Sequence, residues 1–89
     1  MSDLCNCFGI AIRQARDAHC WSQETLAERA DLNRSYVGEI ERGKVIPSLV
    51  TVDKLALALS ISMSELMMRC EELRRVKGHK KISLSSIAC

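Results

Sequence analysis

The sequence of 89 residues is poor in aromatic residues and in long apolar runs. Phe8, Trp21 and Tyr36 are its aromatic residues, so a core has to be built mainly from aliphatic side chains. No apolar stretch approaches the ~20 residues of a membrane span, and the N-terminus lacks the basic and then apolar pattern of a signal peptide. We therefore expect a cytoplasmic protein of one domain, and a helical domain below ~100 residues often gains stability by dimerising.

The chain also lacks the residue patterns of metal and catalytic sites. Its five cysteines lie at positions 5, 7, 20, 70 and 89 and do not form the even set of a disulfide framework. Cys5, Cys7 and His19 could be interpreted as metal ligands, but the two thiols are one residue apart and no second pair follows, so we predict free thiols and no metal. Because no nucleophile with its base, no carboxylate pair and no phosphate-binding glycine loop occurs at workable spacing, the sequence predicts neither an enzyme nor a cofactor.

What the chain does have is the spacing of a helix-turn-helix over residues 23–42, QETLAERADLNRSYVGEIER. Ala27 is small enough to let two helices cross closely, and Asp31 in the turn tolerates a positive φ angle. The apolar residues fall where two helices packed at a steep angle bury them, namely at Leu26, Ala27, Ala30, Leu32, Val37 and Ile40.

Capping signals place the other helices. The first helix is predicted at about Leu4–His19. Ser22, Asn33 and Ser48 suit the N-caps of the second, third and fourth helices, and Gly43 suits the position that follows the third. The buried face predicted for the fourth helix consists of Leu49, Val52, Leu55, Ala56 and Leu59.

The fifth helix is predicted to start at a capping box formed by Ser62 and Glu65 and to end near Gly78. The predicted fold is therefore all-α, with five helices in a domain of residues 1–78 and a mobile, basic and serine-rich tail at residues 79–89. In the alternative, the tail adds a short strand or docking segment through Ile82, Leu84 and Ile87.

From Ile12 to Met67 the chain resembles the lambda-repressor-like helix-turn-helix family of phage repressors, Cro proteins and their bacterial relatives. The segments that carry the resemblance are IRQAR, SQETLAERA, YVGEIERGK, PSL and LALALSISMSEL. Single residues at the family's positions are Arg16, Gln23, Ala27, Ile40, Glu41, Gly43 and Pro47. The segment LNRSYVGEIERGK is most similar to the controller proteins of restriction-modification systems. The resemblance implies a transcriptional regulator that binds double-stranded DNA, and a structural ion pair between Arg16 and Glu41.

The outward face of the third helix is the predicted DNA-reading surface, with the recognition helix spanning Asn33–Arg42 in the major groove. With Leu32, Val37 and Ile40 buried, the residues predicted to contact bases are Asn33, Arg34, Ser35 and Glu39. Arg34 is the strongest candidate because its planar guanidinium can donate two hydrogen bonds to guanine, although it could also be a solvated arginine. Glu39 either accepts from a cytosine amino group or holds Arg34 by an ion pair.

Phosphate contacts are predicted on both sides of this helix. Gln23 matches the family glutamine at the start of the second helix, where its amide and the free N–H groups of the helix end can bind a phosphate together. Weaker candidates are Tyr36, Arg42, Lys44 and Ser48, and for Tyr36 a half-buried structural role is the alternative.

A homodimer is predicted from apolar residues that the core of one chain does not need. Val50 and Leu57 lie off the buried face of the fourth helix, and Ile61 and Met67 extend the apolar surface into the fifth. Met67 equally suits the core of its own chain. The predicted target of such a dimer is a pseudo-palindrome.

Charge is unevenly distributed along the chain. Residues 1–68 carry a net charge of −2 and residues 69–89 a net charge of +4. The affinity of the predicted DNA-binding part for phosphates therefore has to come from a few individually positioned cations and backbone amides. Its net charge does not favour DNA. The alternative function is an antitoxin or adaptor that binds a protein partner through the fifth helix and the tail.

Overall fold

A computed structural model describes residues 3–86 of the chain, with side chains described for residues 3–76. Five helices follow one another, and residues 3–86 contain no strand. The all-α prediction is confirmed, and no helix in this part of the chain is both long and apolar enough to cross a bilayer. The helices are α1 (Asp3–Ala18), α2 (Gln23–Ala30), α3 (Arg34–Glu41), α4 (Leu49–Leu59) and α5 (Met63–Ser86).

Side-chain caps start α2, α3 and α4 where the sequence predicts them. Ser22, Asn33 and Ser48 each accept a hydrogen bond from a backbone N–H two or three residues further on, at 2.8–3.1 Å. Each cap satisfies one of the N–H groups that the first turn of a helix leaves without a partner. The turns are closed by Asp31 and Gly43, whose φ angles of 56° and 71° are the positive values that the sequence predicts.

The start and the end of α5 differ from the prediction. Ser62 accepts a hydrogen bond from the backbone N–H of Glu65 at 3.0 Å, which is one of the two bonds of a capping box. The Glu65 carboxylate, which would make the other bond, instead accepts from Arg69 at 2.8 Å. The helix continues to Ser86, eight residues beyond the predicted end near Gly78. The alternative in which the tail adds a short strand is therefore wrong for Ile82 and Leu84, which lie in this helix. Ile87 lies outside the described residues. The mobility of the tail stays a prediction.

The core is aliphatic, with Phe8 as its one fully buried aromatic residue among residues 3–76. α1 packs against α3 and α5, and α2 packs against α3 and α4. Trp21 and Tyr36 pack on the edge of the core and are only half-buried. Every helix contributes at least one fully buried aliphatic side chain, including Ile12, Leu26, Val37, Leu55 and Leu66.

Gly9 brings α1 and α3 into backbone contact. A Cβ atom at this position would lie 2.5 Å from the carbonyl oxygen of Ile40 and 2.6 Å from that of Glu41, so α1 can cross the end of α3 this closely only without a side chain here. Next to this crossing, Gly43 lies directly against Asn6. The first turns of α1 therefore hold both the end of α3 and the start of the loop that leads to α4.

Leu49 is a correction to the predicted core. Its side chain is 78% exposed, whereas Val52, Leu55, Ala56 and Leu59 are buried as predicted. As the first residue of α4, Leu49 faces an open apolar hollow of about 200 Å³ that no described side chain fills. The hollow is also lined by Leu4, Cys5, Phe8, Ile46, Pro47, Val52 and Met67.

Candidate nucleic-acid interface

The outward face of α3 borders a shallow recess. Three of the four predicted base-contacting residues, Arg34, Ser35 and Glu39, line it and are exposed. The recess has a volume of about 350 Å³ and is completed by Gln23 from the start of α2 and by Gly38 and Arg42. The structure therefore brings the predicted reading residues onto one polar, accessible surface.

Asn33 lies at the edge of this surface, where it caps α3. Its Oδ1 atom accepts from the backbone N–H of Ser35 at 2.8 Å, which leaves the NH₂ group for an external acceptor. Asn33 can therefore donate to a base through its NH₂ group, and its Oδ1 atom keeps one lone pair that can still accept. Its predicted base contact stays a prediction.

Arg34 and Glu39 do not form an ion pair with each other in the described part of the chain. Of the two roles left open for Glu39, the ion pair with Arg34 is therefore not the one that this structure contains. Arg34 stands in the first turn of α3 with its guanidinium available to a partner.

Arg42 lies over α3 at Gly38, where no side chain stands between the guanidinium and the helix. A Cβ atom at Gly38 would lie 3.2 Å from the Arg42 Nη1 atom and 3.4 Å from the Gln23 Oε1 atom. The Arg42 guanidinium therefore lies against the helix and faces the recess that Arg34 also lines. Two guanidinium groups thus offer planar sets of N–H donors to acceptors such as phosphate oxygens and guanine edges.

The recess rests on a buried ion pair between α1 and the end of α3. Arg16 Nε donates to Glu41 Oε2 at 2.7 Å, and Arg16 Nη2 donates to Glu41 Oε1 at 3.0 Å. The pair therefore has the bidentate geometry of a strong arginine–carboxylate contact. The two side chains are 12% and 4% exposed. The hydrogen bond to Glu41 raises the pKa of Arg16 above its usual value, and Arg16 Nη1 also donates to the backbone oxygen of Trp21 at 2.7 Å.

Gln23 connects this ion pair to the recess. Its Nε2 atom donates to Glu41 Oε1 at 2.9 Å, so one amide hydrogen is already used inside the protein. The predicted phosphate contact of Gln23 therefore stays a prediction in which the second amide hydrogen and the N–H groups at the start of α2 act together.

Comparisons with known proteins agree with this geometry. Residues 12–66 match the family profile described as "Helix-turn-helix". The chain belongs to this helix-turn-helix family. Over 67 residues it is 39% identical to control protein C.MunI from a Mycoplasma species, a match that spans 74% of this chain and 90% of that protein. Over 56 residues it is 43% identical to the immunity repressor protein of Bacillus phage phi105, spanning 63% of this chain and 39% of the repressor.

A solved structure supports the same assignment. The crystal structure of the restriction-modification controller protein C.AhdI from Aeromonas hydrophila superposes with a TM-score of 0.70 and 50% sequence identity, over 74% of this chain and 98% of that one. The predicted resemblance to controller proteins and phage repressors is confirmed. These relatives are transcriptional regulators rather than enzymes. The prediction that this helix-turn-helix protein is not an enzyme is therefore confirmed as well.

The remaining phosphate candidates of the helix-turn-helix protein differ in accessibility. Lys44 is exposed in the loop after α3. Ser48 is engaged with Thr51 as the cap of α4, and the half-buried Tyr36 hydroxyl lies 3.5 Å from the hydroxyl oxygen of Thr51. The position of Tyr36 agrees with its structural alternative, whereas the two cations of this rim, Arg42 and Lys44, are both exposed.

A second surface of the helix-turn-helix protein is apolar. Val50 and Leu57, both predicted to lie off the core, are 66% and 72% exposed, and Met67 is 37% exposed. Ile61 is half-buried and packs on the core of its own chain. Leu49 and Ile46 are exposed apolar residues that the sequence analysis did not predict on this surface. The helical period assigned Leu49 to the core. Ile46 lies in a loop, where no periodic pattern indicates whether a residue is exposed.

The described cysteines form neither a disulfide nor a metal site. Cys5, Cys7 and Cys70 are buried, and Cys20 is exposed. Burial raises the pKa of the Cys70 thiol, which keeps it protonated and unreactive. Residues 3–76 contain no group of three potential ligands that could hold a metal, and Cys5 and His19 stand at opposite ends of α1, about 20 Å apart along the helix.

Proposed function

We propose that the protein is a sequence-specific transcriptional regulator that binds a pseudo-palindromic DNA duplex as a homodimer, with α3 in the major groove. The observation that carries this proposal is the position of Arg34. It lies in the exposed first turn of α3, it has no ion pair with Glu39, and it borders a recess that a second guanidinium also faces. The N-terminal part of a recognition helix is the part that reaches base edges.

Each reading residue has a role that its chemistry supports. Arg34 donates two hydrogen bonds to O6 and N7 of a guanine. Glu39, one turn further along α3, accepts from a cytosine amino group. The NH₂ group of Asn33 donates to a base acceptor, and the Ser35 hydroxyl can donate or accept.

The rim of the recess holds the phosphates. Lys44 and Arg42 supply charge, and Gln23 supplies its second amide hydrogen together with the N–H groups of the first turn of α2. Tyr36 and Ser48 contribute through hydroxyl groups that already have a partner inside the protein. These contacts fix the register of the protein on the duplex without reading its sequence.

The apolar surface supplies the two-fold contact. Leu57, Val50 and Met67 pack against the same residues of a second copy, and Ile61 borders this contact. The exposed Leu49 extends the contact toward the start of α4. A two-fold axis through this surface sets the two recognition helices about 34 Å apart, which corresponds to half-sites ~10 base pairs between centres. Such a regulator acts in the cytoplasm, on the DNA of a bacterial cell.

The test is a selection of bound duplexes from a random DNA pool, followed by binding measurements on the selected sequence. We expect a pseudo-palindrome. Arg34→Ala should lower the affinity by ~1 to 3 kcal/mol and relax the preference at one base pair of each half-site. Lys44→Ala is the matched control, because the loss of a phosphate contact should weaken binding to all duplexes alike and reduce the salt slope by roughly one. Equal losses on selected and random DNA for Arg34→Ala would contradict the assignment.

A further inference from the structure

Arg42 continues the helical path of α3, although it is the residue after the last one of that helix. Its φ and ψ angles are −88° and 0°, and its backbone N–H donates to the carbonyl oxygen of Gly38 at 3.1 Å, four residues back as in an α-helix. Seven residues, close to two full turns, separate it from the exposed Ser35. Both side chains therefore leave α3 on the same outward face.

The Arg42 side chain turns back along α3 as far as Gly38. A Cβ atom at Gly38 would lie 3.2 Å from Arg42 Nη1 and 3.8 Å from its Cζ. Gly38 is four residues from Arg34, which is roughly 6 Å along the helix axis. Successive base pairs of a duplex are about 3.4 Å apart. The two arginines are thus spaced for base pairs about two steps apart.

Neither arginine is neutralised by the protein itself. Within residues 3–76, Arg34 and Arg42 form no ion pair, although the Glu39 carboxylate borders the same recess of about 350 Å³. A recess with two unpaired guanidinium groups suits a partner that presents hydrogen-bond acceptors. O6 and N7 of guanine are two such acceptors in the major groove, and one planar guanidinium can donate to both.

The position of Arg42 favours a base over a phosphate as its partner. The outward face that it shares with Ser35 is the face of a recognition helix that enters the groove. Lys44, by contrast, follows Gly43, whose φ angle of 71° takes the chain out of the helical path. Lys44 therefore lies on the rim, where phosphates are contacted, and Arg42 lies on the face that meets base edges.

Gln23 borders the guanidinium of Arg42 on the other side of Gly38. Its Oε1 atom would lie 3.4 Å from a Cβ atom at Gly38, and its Nε2 atom donates to Glu41 Oε1 at 2.9 Å. The amide is therefore fixed with its acceptor oxygen turned toward the side where the guanidinium lies. Arg42 is thus positioned before DNA binds, which lowers the entropy that a base contact costs.

We propose that Arg42 is a second sequence-reading residue, which donates two hydrogen bonds to a guanine about two base pairs from the guanine read by Arg34, and that Gly38 positions it. Arg42 then belongs to the reading surface rather than to the phosphate rim. This inference rests on the proposed function, because α3 has to lie in the major groove for either arginine to reach a base. The ligand is a half-site that contains two G·C pairs close together.

The test uses the duplex that the wild type selects from a random pool, with affinities measured by fluorescence anisotropy. We expect two G·C pairs about two base pairs apart in each half-site. Replacing either pair by A·T in one half-site should lower the wild-type affinity about 5- to 150-fold. Arg42→Ala should no longer distinguish G·C from A·T at one of these pairs and should still do so at the other. Arg34→Ala should show the reverse pattern.

Arg13→Ala is the matched control. Arg13 is exposed on α1 and belongs to no predicted contact, so this variant removes the same charge far from the reading face. We expect its affinity to change less than about twofold on every duplex, as for a charge that contacts no phosphate. Circular dichroism establishes that all variants fold.

Gly38→Ala tests the positioning role without a change of charge. Alanine favours a helix more than glycine does, so the variant should be at least as stable as the wild type in urea. Its Cβ atom displaces the end of the Arg42 side chain, and the preference at the second G·C pair should fall severalfold. In the Arg42→Ala background the same change should have no effect on that preference. An equal effect in both backgrounds would show that Gly38 does not act through Arg42.

The result expected if Arg42 holds a phosphate is different. Arg42→Ala would then weaken binding to selected and scrambled duplexes alike and lower the salt slope by roughly one. That result, or an unchanged affinity, would overturn the inference and leave the regulator in place. Loss of preference at one pair for Arg42→Ala and at the other for Arg34→Ala would support both. A wild type without any sequence preference would overturn both.

Discussion

Helices α3 and α4 expose opposite kinds of surface. Both begin at a side-chain cap, and both bury one aliphatic face in the same core. On its other face α3 exposes the polar residues Arg34, Ser35 and Glu39. On its other face α4 exposes apolar residues, with Leu49, Val50 and Leu57 between 66% and 78% accessible.

This difference indicates two partners of different chemistry. The guanidinium and carboxylate groups of α3 would each carry a desolvation cost in a dry protein interface, whereas a DNA groove offers them hydrogen-bonding partners and water. Burying a leucine side chain contributes ~1.5 to 3 kcal/mol, so the surface of α4 gains most from another apolar protein surface. The polar face of α3 thus suits a DNA groove, and the apolar face of α4 suits an apolar protein surface.

The ion pair between Arg16 and Glu41 joins α1 to the end of α3, and the largest expected effect is its loss. Glu41→Ala removes the main counter-charge of the largely buried Arg16, which keeps only the exposed Asp17 carboxylate at 3.5 Å, and it also frees the Gln23 amide. We expect the free energy of unfolding to fall by ~3 to 5 kcal/mol, measured by urea denaturation. Glu39→Ala, an exposed glutamate two residues away, is the control and should change it by less than ~0.5 kcal/mol.

The double variant Arg16→Ala, Glu41→Ala sharpens this test. If the two side chains form a desolvated pair, removing both should cost less than the sum of the two single changes, because neither charge is then left alone. Single changes that each cost under ~1 kcal/mol and that add up would reduce the pair to an ordinary surface contact.

The features predicted correctly from the sequence depend on residues close together in the chain. The caps at Ser22, Asn33 and Ser48 each bond to a backbone group at most three residues away, and the positive φ angle of Asp31 is a property of its own turn. Periodicity also identifies the exposed face of α3 correctly, because burial of one face of a helix determines which residues lie opposite.

The features that were missed depend on contacts between distant segments. Periodicity assigns Leu49 to the buried face, but it does not tell whether anything covers the first turn of α4. The bond between Gln23 and Glu41 joins residues 18 positions apart and arises because the start of α2 meets the end of α3. Gly78 suggests a helix end, yet the helix continues, since a single glycine inside a helix costs only ~1 kcal/mol.

The apolar surface of α4 is tested by Leu57→Glu. A charge on this 72% exposed residue should leave the fold intact and disrupt the dimer, because two carboxylates would meet near the two-fold axis. We expect a monomer by sedimentation, an unchanged helical circular dichroism spectrum and much weaker binding to the selected palindrome. Binding to an isolated half-site should change little, because α3 is not altered.

Arg13→Glu on α1 is the control. Arg13 is exposed, lies outside α4 and belongs to no predicted contact, so its variant should sediment as the wild type does. A Leu57→Glu variant that is still a dimer would move the interface to another part of the surface, such as the exposed residues of α5.

The smallest expected effect concerns Leu49, and it separates the two roles of an apolar residue on α4. In the monomeric Leu57→Glu background, Leu49→Ala should change the free energy of unfolding by less than ~0.5 kcal/mol, because its side chain is 78% exposed. Leu55→Ala, on the buried face of the same helix, should cost ~2 to 5 kcal/mol in that background. In the dimeric background, Leu49→Ala should raise the dissociation constant of the dimer. If Leu49→Ala destabilises the monomer as much as Leu55→Ala does, the hollow beside Leu49 is closed in solution and Leu49 belongs to the core of its own chain.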